Sequence, residues 1–340
     1  MIYYIIRRLA LMTVVLLIVI TITFLLTTIA PSDPAAQWAG TRPTPEQLET
    51  ARKELGLDKP VYLRYLLYIK NMAKGEFGTS IRTRQPVIRD LLGYFPATFE
   101  LVTLAILFSL IIGIPLGILS AVRRESTLDH LGRLFSLSGV GIPIFWLGMM
   151  LQLLAYVTLK TFPIQGRIAS EISFSHPVVI RTGLFLLDTL IQGNWAAFKS
   201  AFVHMILPAT TMSFAALAFV TRMARSSMIE VLREDYIRTS RAFGVSENLI
   251  RYKYALKNAM VPTVTVVGLT YGTLLGGSVL VESIFDWPGI GRYVWLSILH
   301  NDFPAIMGVT IIFALTYLII NLMVDLFYAL IDPRVRYTGK

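Results

Sequence analysis

Cysteine is absent from all 340 residues, which excludes disulfides, thiolate metal sites and a thiol nucleophile. Compartment does not follow from that absence. Charge is scarce: 15% of residues are charged against 55% hydrophobic, whereas a soluble domain carries roughly a quarter charged residues. A soluble fold is a poor reading from the outset. No GxxxxGK(S/T) phosphate loop occurs, and the only Gly-Lys pair is Gly339-Lys340, so ATP is not expected to bind this chain through a P-loop. His130, His176, His204 and His300 stand apart without the paired spacing of a zinc helix; they read as structural, and no metal site is expected. The net charge of +10 is scattered over many loops, not gathered into a basic stripe with interleaved aromatics, so no nucleic-acid partner is expected.

What is present is apolar sequence in long uncharged runs. Six recur: Leu9 to Ala30, Leu101 to Val122, Leu134 to Leu159, Met205 to Thr221, Val261 to Val281 and Phe303 to Val324. About 20 helical residues cross a hydrocarbon layer of about 30 Å, so five runs suffice alone and the Met205 run suffices once extended back through Ala201 to His204. The first run, at 22 residues, exceeds the apolar core of a signal peptide, about 7 to 15 residues, and is expected to remain as a helix. Leu184 to Leu187, flanked by Arg181 and Asp188, reads as an interfacial or buried loop helix. The expectation is an all-α integral membrane protein with about six transmembrane helices.

Intramembrane ionisable groups usually mark ion pathways, yet the middle thirds of the six runs hold none. Glu100 and Glu282 sit at span ends, and Asp325, four residues after Asn321, lies near the end of the last span as hydrogen-bonding glue. A proton-coupled secondary transporter is therefore disfavoured. Gly268, Gly272 and Gly276, like Gly113 and Gly117, present small surfaces on one helix face that permit close approach. Packing within the chain and a seam with another subunit or a pore both remain open. Gln152, Ser213 and Tyr271, polar residues on central spans, are candidates for bordering a translocation path.

Arg7, Arg8, Arg123, Arg124, Arg222, Arg225, Arg334 and Arg336 hug helix ends. With the N-terminus inside, segments 1–8, 123–133, 222–260 and 331–340 hold 16 of the 31 Lys and Arg, which predicts both termini in the cytoplasm. The chain then divides into a tip and first span (1–30), an external segment (31–96), a membrane core (97–330) with an external loop at 160–201 and an inner loop at 222–260, and a cytoplasmic tail (331–340). Thr44 to Leu55 has a Thr-Pro start, Glu46 early, Lys53 late and Gly56 as a stop, the pattern of a capped helix. Val61 to Met72 follows at helical spacing. A cap resting on the membrane and a docking surface for an external partner are equal readings of this folded helical segment.

The inner loop is the most informative stretch. Ile229, Leu232, Tyr236 and Phe243 fall on one helical face, with Arg233, Glu234, Arg238 and Arg241 elsewhere, which predicts a short amphipathic helix. Gly244 stops it, and Ser246 followed by Glu247 caps a second helix running toward Pro262. By the residues alone, a headgroup-lying helix is as good a reading as a docking element.

Here the residues resemble a family. Glu234, Asp235, Tyr236, Ile237, Arg238, Thr239, Ser240, Arg241, Ala242, Phe243 and Gly244, with Asn258 to Pro262 after them, are similar to the coupling loop of ABC-importer permeases, and in particular of the first permease of dipeptide and oligopeptide importers. Glu54 to Pro60, Gly75 to Gly78, Pro143 to Trp146, His204 to Pro208, Ser283 to Gly291 and Asp332 to Arg334 carry the likeness along nearly the whole chain. The wider permease loop begins Glu-Ala-Ala where Arg238-Thr239-Ser240 stand here, and has proline where Lys257 stands; both departures resemble the peptide-importer branch. The resemblance implies a type I ABC-importer-like fold and a channel-forming subunit working by alternating access, with no catalytic residue of its own. It also implies a second homologous permease subunit, two ATPase subunits carrying ATP and Mg, and an extracytoplasmic substrate-binding protein. Glu234, Asp235, Tyr236, Arg238, Thr239, Arg241, Ala242, Phe243 and Gly244 would couple to an ATPase, and the chain would lie among lipid in a prokaryotic inner membrane. Relatives in the same branch import glutathione, nickel or oligosaccharides, so those solutes stay open beside peptides.

Overall fold

The computed structural model describes residues 2–29, 33–40, 42–158, 160 and 162–331; the tail motif Asp332 to Arg334, Arg336 and Gly339-Lys340 lie outside them. In chain order the helices are α1 (Ile2–Ile29), α2 (Pro34–Ala39), α3 (Pro45–Glu54), α4 (Val61–Ala73), α5 (Val87–Val122), α6 (Thr127–Gly141) and α7 (Ile144–Gln152). They continue with α8 (Ser170–Ser175), α9 (Phe185–Ile191), α10 (Trp195–Val231), α11 (Asp235–Ala242), α12 (Glu247–Leu249), α13 (Leu256–Ile284), α14 (Ile290–Leu299) and α15 (Phe303–Ile331). Single π-helical turns follow α7 at Leu153–Thr158 and α12 at Ile250–Ala255. Five helices among the described residues are long and apolar enough to cross a membrane, and a bent pair makes up to six.

That bent pair departs from expectation. Leu134 to Leu159 reads as one uninterrupted run, but α6 and α7 meet at 105°. Pro143 supplies no N–H and its ring disfavours helical backbone at the residue before it; Ile142 is accordingly extended, at φ −86° and ψ 123°. Pro208 and Pro262, by contrast, sit inside α10 and α13, so the second inner helix runs through Pro262 into the fifth apolar run.

The chain forms two compact units, residues 1–97 with 288–318 and residues 98–287 with 319–340. In the first, Thr44 and Gln47 close a capping box at the head of α3, satisfying two backbone donors that the helix start leaves open. Arg52 of α3 holds Asp33, the cap of α2, at 2.9 Å. Around α14 the buried carboxylate of Asp302 accepts from Ser80 Oγ and the Arg82 backbone N–H, and Tyr293 donates to Asp90 at 3.0 Å while stacking on Tyr94.

The second unit packs by close backbone approach. An added Cβ on Gly113 would lie 3.1 Å from Leu217 and Val220, and one on Gly117 only 2.7 Å from the Thr221 carbonyl oxygen; this glycine pair therefore seats α5 on α10. Gly139 approaches Ala218 in the same way, and Gly268 meets Val324. Gly276 faces open space.

Candidate functional site

The loop between α10 and α13 is assembled around one isoleucine. Ile237 of α11 is wholly buried against Ile118 and Ala121 of α5, Met228 of α10, Ile250 and Ala255 of the second π-helical turn, and Ala259 of α13. The expected apolar face assumed a continuous helix from Ile229, but α10 ends at Val231 and the chain turns before α11 begins at Asp235. Helical phase restarts there. Ile229 and Leu232 still join the cluster from the end of α10, whereas Phe243 is 83% exposed.

Each end of α11 is defined. Glu234 stands at the N-cap in extended backbone and Asp235 fills the first turn, acidic where the helix dipole favours negative charge. At the other end Gly244 takes φ +75°, with Val245 N–H bonding the Ser240 carbonyl at 3.1 Å and Gly244 N–H bonding the Arg241 carbonyl at 3.0 Å. This pair of bonds is the Schellman motif, which needs a left-handed residue at the position of Gly244. Arg241 Nε reaches Glu247 at 2.7 Å across the turn, and the Tyr236 hydroxyl accepts from Asn258 Nδ2 at 2.8 Å. Arg238 pairs with Asp235 at 3.4 Å and the Thr239 hydroxyl returns to the Asp235 carbonyl. Ser246 occupies the N-cap of α12 without a side-chain cap bond, so the expected cap is one of position only. The result is a short charged helix gripped from beneath by Ile237, with the Phe243 ring in the open at its end.

Two buried ion pairs brace the same unit, one close to α11 and one toward the other end of α5. Asp129, with no exposed side-chain surface, accepts from Arg225 Nε at 2.6 Å and Arg225 Nη2 at 2.8 Å, joining α6 to α10 four residues after the Thr221 contact. Glu100 of α5 pairs with Arg167 and accepts from the Leu186 N–H, tying loop 160–201 to the membrane helices. The sequence offered Arg225 only as a topology charge and Glu100 only as a span end; neither partner is recoverable from spacing, since 96 residues separate Asp129 from Arg225.

Residues 113–337 match the family model described as binding-protein-dependent transport system inner membrane component, and residues 1–102 match its N-terminal companion. The chain belongs to this family. It is 46% identical to a probable D,D-dipeptide transport system permease protein of Escherichia coli, over 94% of each chain, and 41% identical to a dipeptide transport system permease protein of Alkalihalophilus pseudofirmus, over 99% of this chain and all of that one. A glutathione transport system permease protein of Pectobacterium atrosepticum is 37% identical over 99% of this chain and all of its own. Among solved structures, an inward-facing MetNI methionine ABC transporter chain superposes with a TM-score of 0.50 at 18% identity, over 69% of this chain and 93% of that one. The type I permease fold is thereby shared.

In the permease, the three polar residues expected near a path are each held by a partner of their own. Gln152 Nε2 donates to the carbonyls of Ile164 and Ile284 at 3.0 and 3.2 Å. Ser213 is buried and its hydroxyl bonds the Thr210 carbonyl one turn back at 2.9 Å. Tyr271 is buried beside Phe99, its hydroxyl 3.1 Å from that of Thr103. Glu282, at the end of the fifth run, is buried and accepts from Thr98 at 2.6 Å.

Proposed function

We propose that this permease is one of two related membrane subunits of an ATP-driven importer of dipeptides and oligopeptides. Two ATPase subunits would carry ATP and Mg, and an extracytoplasmic binding protein would deliver the peptide. The observation that carries the coupling half is α11, a charged helix anchored by Ile237 with an exposed aromatic end at Phe243. An exposed aromatic beside a rigid helix is what a groove on a partner recognises. Glu234 through Gly244 would seat in a groove of an ATPase, so that nucleotide-driven closure moves the helices α11 is packed on, a bistable element biased from one end. The substrate half is supported by the names of the relatives, two dipeptide permeases and one glutathione permease.

In this reading both termini and loop 222–260 face the cytoplasm, segment 31–96 and loop 160–201 face outward, and Gln152, Ser213 and Tyr271 border the route in a state other than this one, after exchanging their present partners. Uptake of labelled dipeptide, glutathione and oligosaccharide by the reconstituted complex tests it. Dipeptide accumulation that needs ATP and survives a protonophore is expected; accumulation of the sugar alone, or loss of uptake with the proton gradient at clamped ATP, overturns it. The glutathione relative supports a second reading, the same machine carrying glutathione, which the middle arm of that assay reports.

A further inference from the structure

Helix α4 has a pattern that an aqueous setting does not explain. None of its thirteen residues is buried, yet Val61, Tyr62, Leu63, Leu66 and Leu67 stand exposed on it. Its neighbour within the same unit is the C-terminal half of α1. The Phe24 ring stacks on Tyr68 at 5.8 Å and tilts against Tyr65 at 5.3 Å, and the hydroxyls of Tyr65 and Thr21 share a hydrogen bond. Thr21 lies about 12 Å from the end of α1, at 1.5 Å per residue, and α1 is long and apolar enough to cross a membrane. The first turns of α4 thus run beside residues inside the apolar layer: Val61 and Tyr62 share a surface with Leu25 of α1, and Leu25, Leu26 and Ile29 are themselves exposed on α1.

Beside this row lies a cavity of about 370 Å³, lined by Phe24, Arg64, Leu67, Tyr68, Asn71 and Met307 among others. Two donors in its wall are unspent. Among the described residues no carboxylate pairs with Arg64, whose guanidinium is partly desolvated, and the buried Tyr68 hydroxyl has no hydrogen-bond partner. Of the other polar groups on the wall, Glu54 is taken by the Trp38 indole N–H and Lys53 by Glu49, while Lys59 and Asn71 also line it. Burying a hydroxyl and a cation without acceptors is unfavourable unless something supplies oxygens. Guanidinium matches the paired oxygens of a phosphate.

We propose that this cavity holds the phosphate of a membrane phospholipid, with Arg64 and Tyr68 donating to its oxygens and the acyl chains lying along the exposed rows of α4 and α1. The apolar rows favour a lipid over a free anion, because a soluble phosphate would leave them uncovered at the bilayer boundary. The proposal requires only that α1 span a bilayer; it is independent of what the permease carries and of how it couples to ATP.

The test uses the full complex in mild detergent, titrated with phosphatidylglycerol and, separately, with inorganic phosphate, and read by native mass spectrometry. The wild type is expected to retain a lipid adduct that Arg64→Gln loses at least tenfold more readily, with Arg64→Lys between them and the exposed control Lys70→Gln unchanged. Tyr68→Phe keeps the stack on Phe24 and removes the unsatisfied hydroxyl, so it should weaken lipid retention without lowering the thermal midpoint in lipid-free detergent; it decides the matter if Arg64→Gln fails to assemble. Equal lipid retention in the wild type and Tyr68→Phe, or inorganic phosphate displacing the lipid at comparable concentration, overturns the proposal.

Discussion

Gly244 is the position where a one-residue change tests the coupling loop with the least collateral damage. Its φ of +75° lies in the left-handed region, and a Cβ built there meets nothing within 4 Å. Space is therefore not at issue; the whole cost is backbone conformation. A residue other than glycine pays about 1–2 kcal/mol there, less for Asn, whose short polar side chain tolerates the region. At 1.4 kcal/mol per factor of ten, Gly244→Ala lowers the population of the present loop end about tenfold against alternatives, and the β-branched Val in Gly244→Val lowers it further. What is lost is the pair of bonds from Val245 and Gly244 to Ser240 and Arg241, and with them the setting of Phe243. Of the Ile237 cluster only the partly buried Val245 adjoins the changed position, so the membrane core is expected to stay intact. Expression should thus survive, while substrate-stimulated ATP hydrolysis and peptide uptake by the reconstituted complex fall together, in the order Val below Ala below Asn. With no native cysteine, Thr239→Cys adds a clean cross-link to a cysteine in the ATPase groove. Wild-type uptake in Gly244→Val, with no cross-link anywhere from Glu234 to Phe243, would refute the reasoning.

The remaining predictions concern what holds the loop's surroundings. Asp129→Ala strands the Arg225 guanidinium and should lower stability by about 3 kcal/mol, seen as a lower thermal midpoint, part of which Asp129→Ala with Arg225→Ala restores. Gly117→Ala forces a methyl to 2.7 Å from the Thr221 carbonyl and should cost about 1–3 kcal/mol by overpacking, whereas Gly276→Ala, with open space ahead of it inside α13, should not lower the midpoint of the isolated chain. The hydrogen bond from Arg241, with the charges of Arg241 and Arg251, outweighs desolvation and holds the Glu247 carboxyl below its usual range. Because the folded value is the depressed one, this contribution is present above the ordinary glutamate range and is lost as pH falls through the folded value. Protection of the amides from Val245 to Leu249, taken against their intrinsic exchange rates, should accordingly fall in acid below the ordinary glutamate range, and Glu247→Gln should abolish that dependence.

Much of the scaffold was legible because it is written in local terms. A membrane interior forces its spans to be long, apolar and helical, so the run of residues names each one. The capped α3 was readable for the same reason, since Thr44, Pro45 and Gly56 act within a few residues of themselves. The sharp turn between α6 and α7 was legible in principle from Gly141-Ile142-Pro143, but apolar length alone runs straight through it. The prolines in α10 and α13 show why: the same residue ends one helix and is absorbed by another, according to whether neighbouring helices hold the chain in line.

The loop separates what periodicity can give from what packing decides. The existence of α11 and its stop at Gly244 follow from charge pattern and glycine, both local. Its buried residue does not: Ile237 faces inward because the chain turns between Val231 and Asp235, which resets the helical phase by an amount that a wheel drawn from Ile229 cannot contain. The clue was compositional, since Ile237 is the only aliphatic residue larger than alanine between Glu234 and Phe243, and a helix resting on an apolar cluster must spend such a residue on it. Once Ile237 is the anchor, Phe243 is freed from that duty. Its 83% exposure then ceases to be an anomaly of an amphipathic helix, and becomes the feature that a partner's groove has reason to cover.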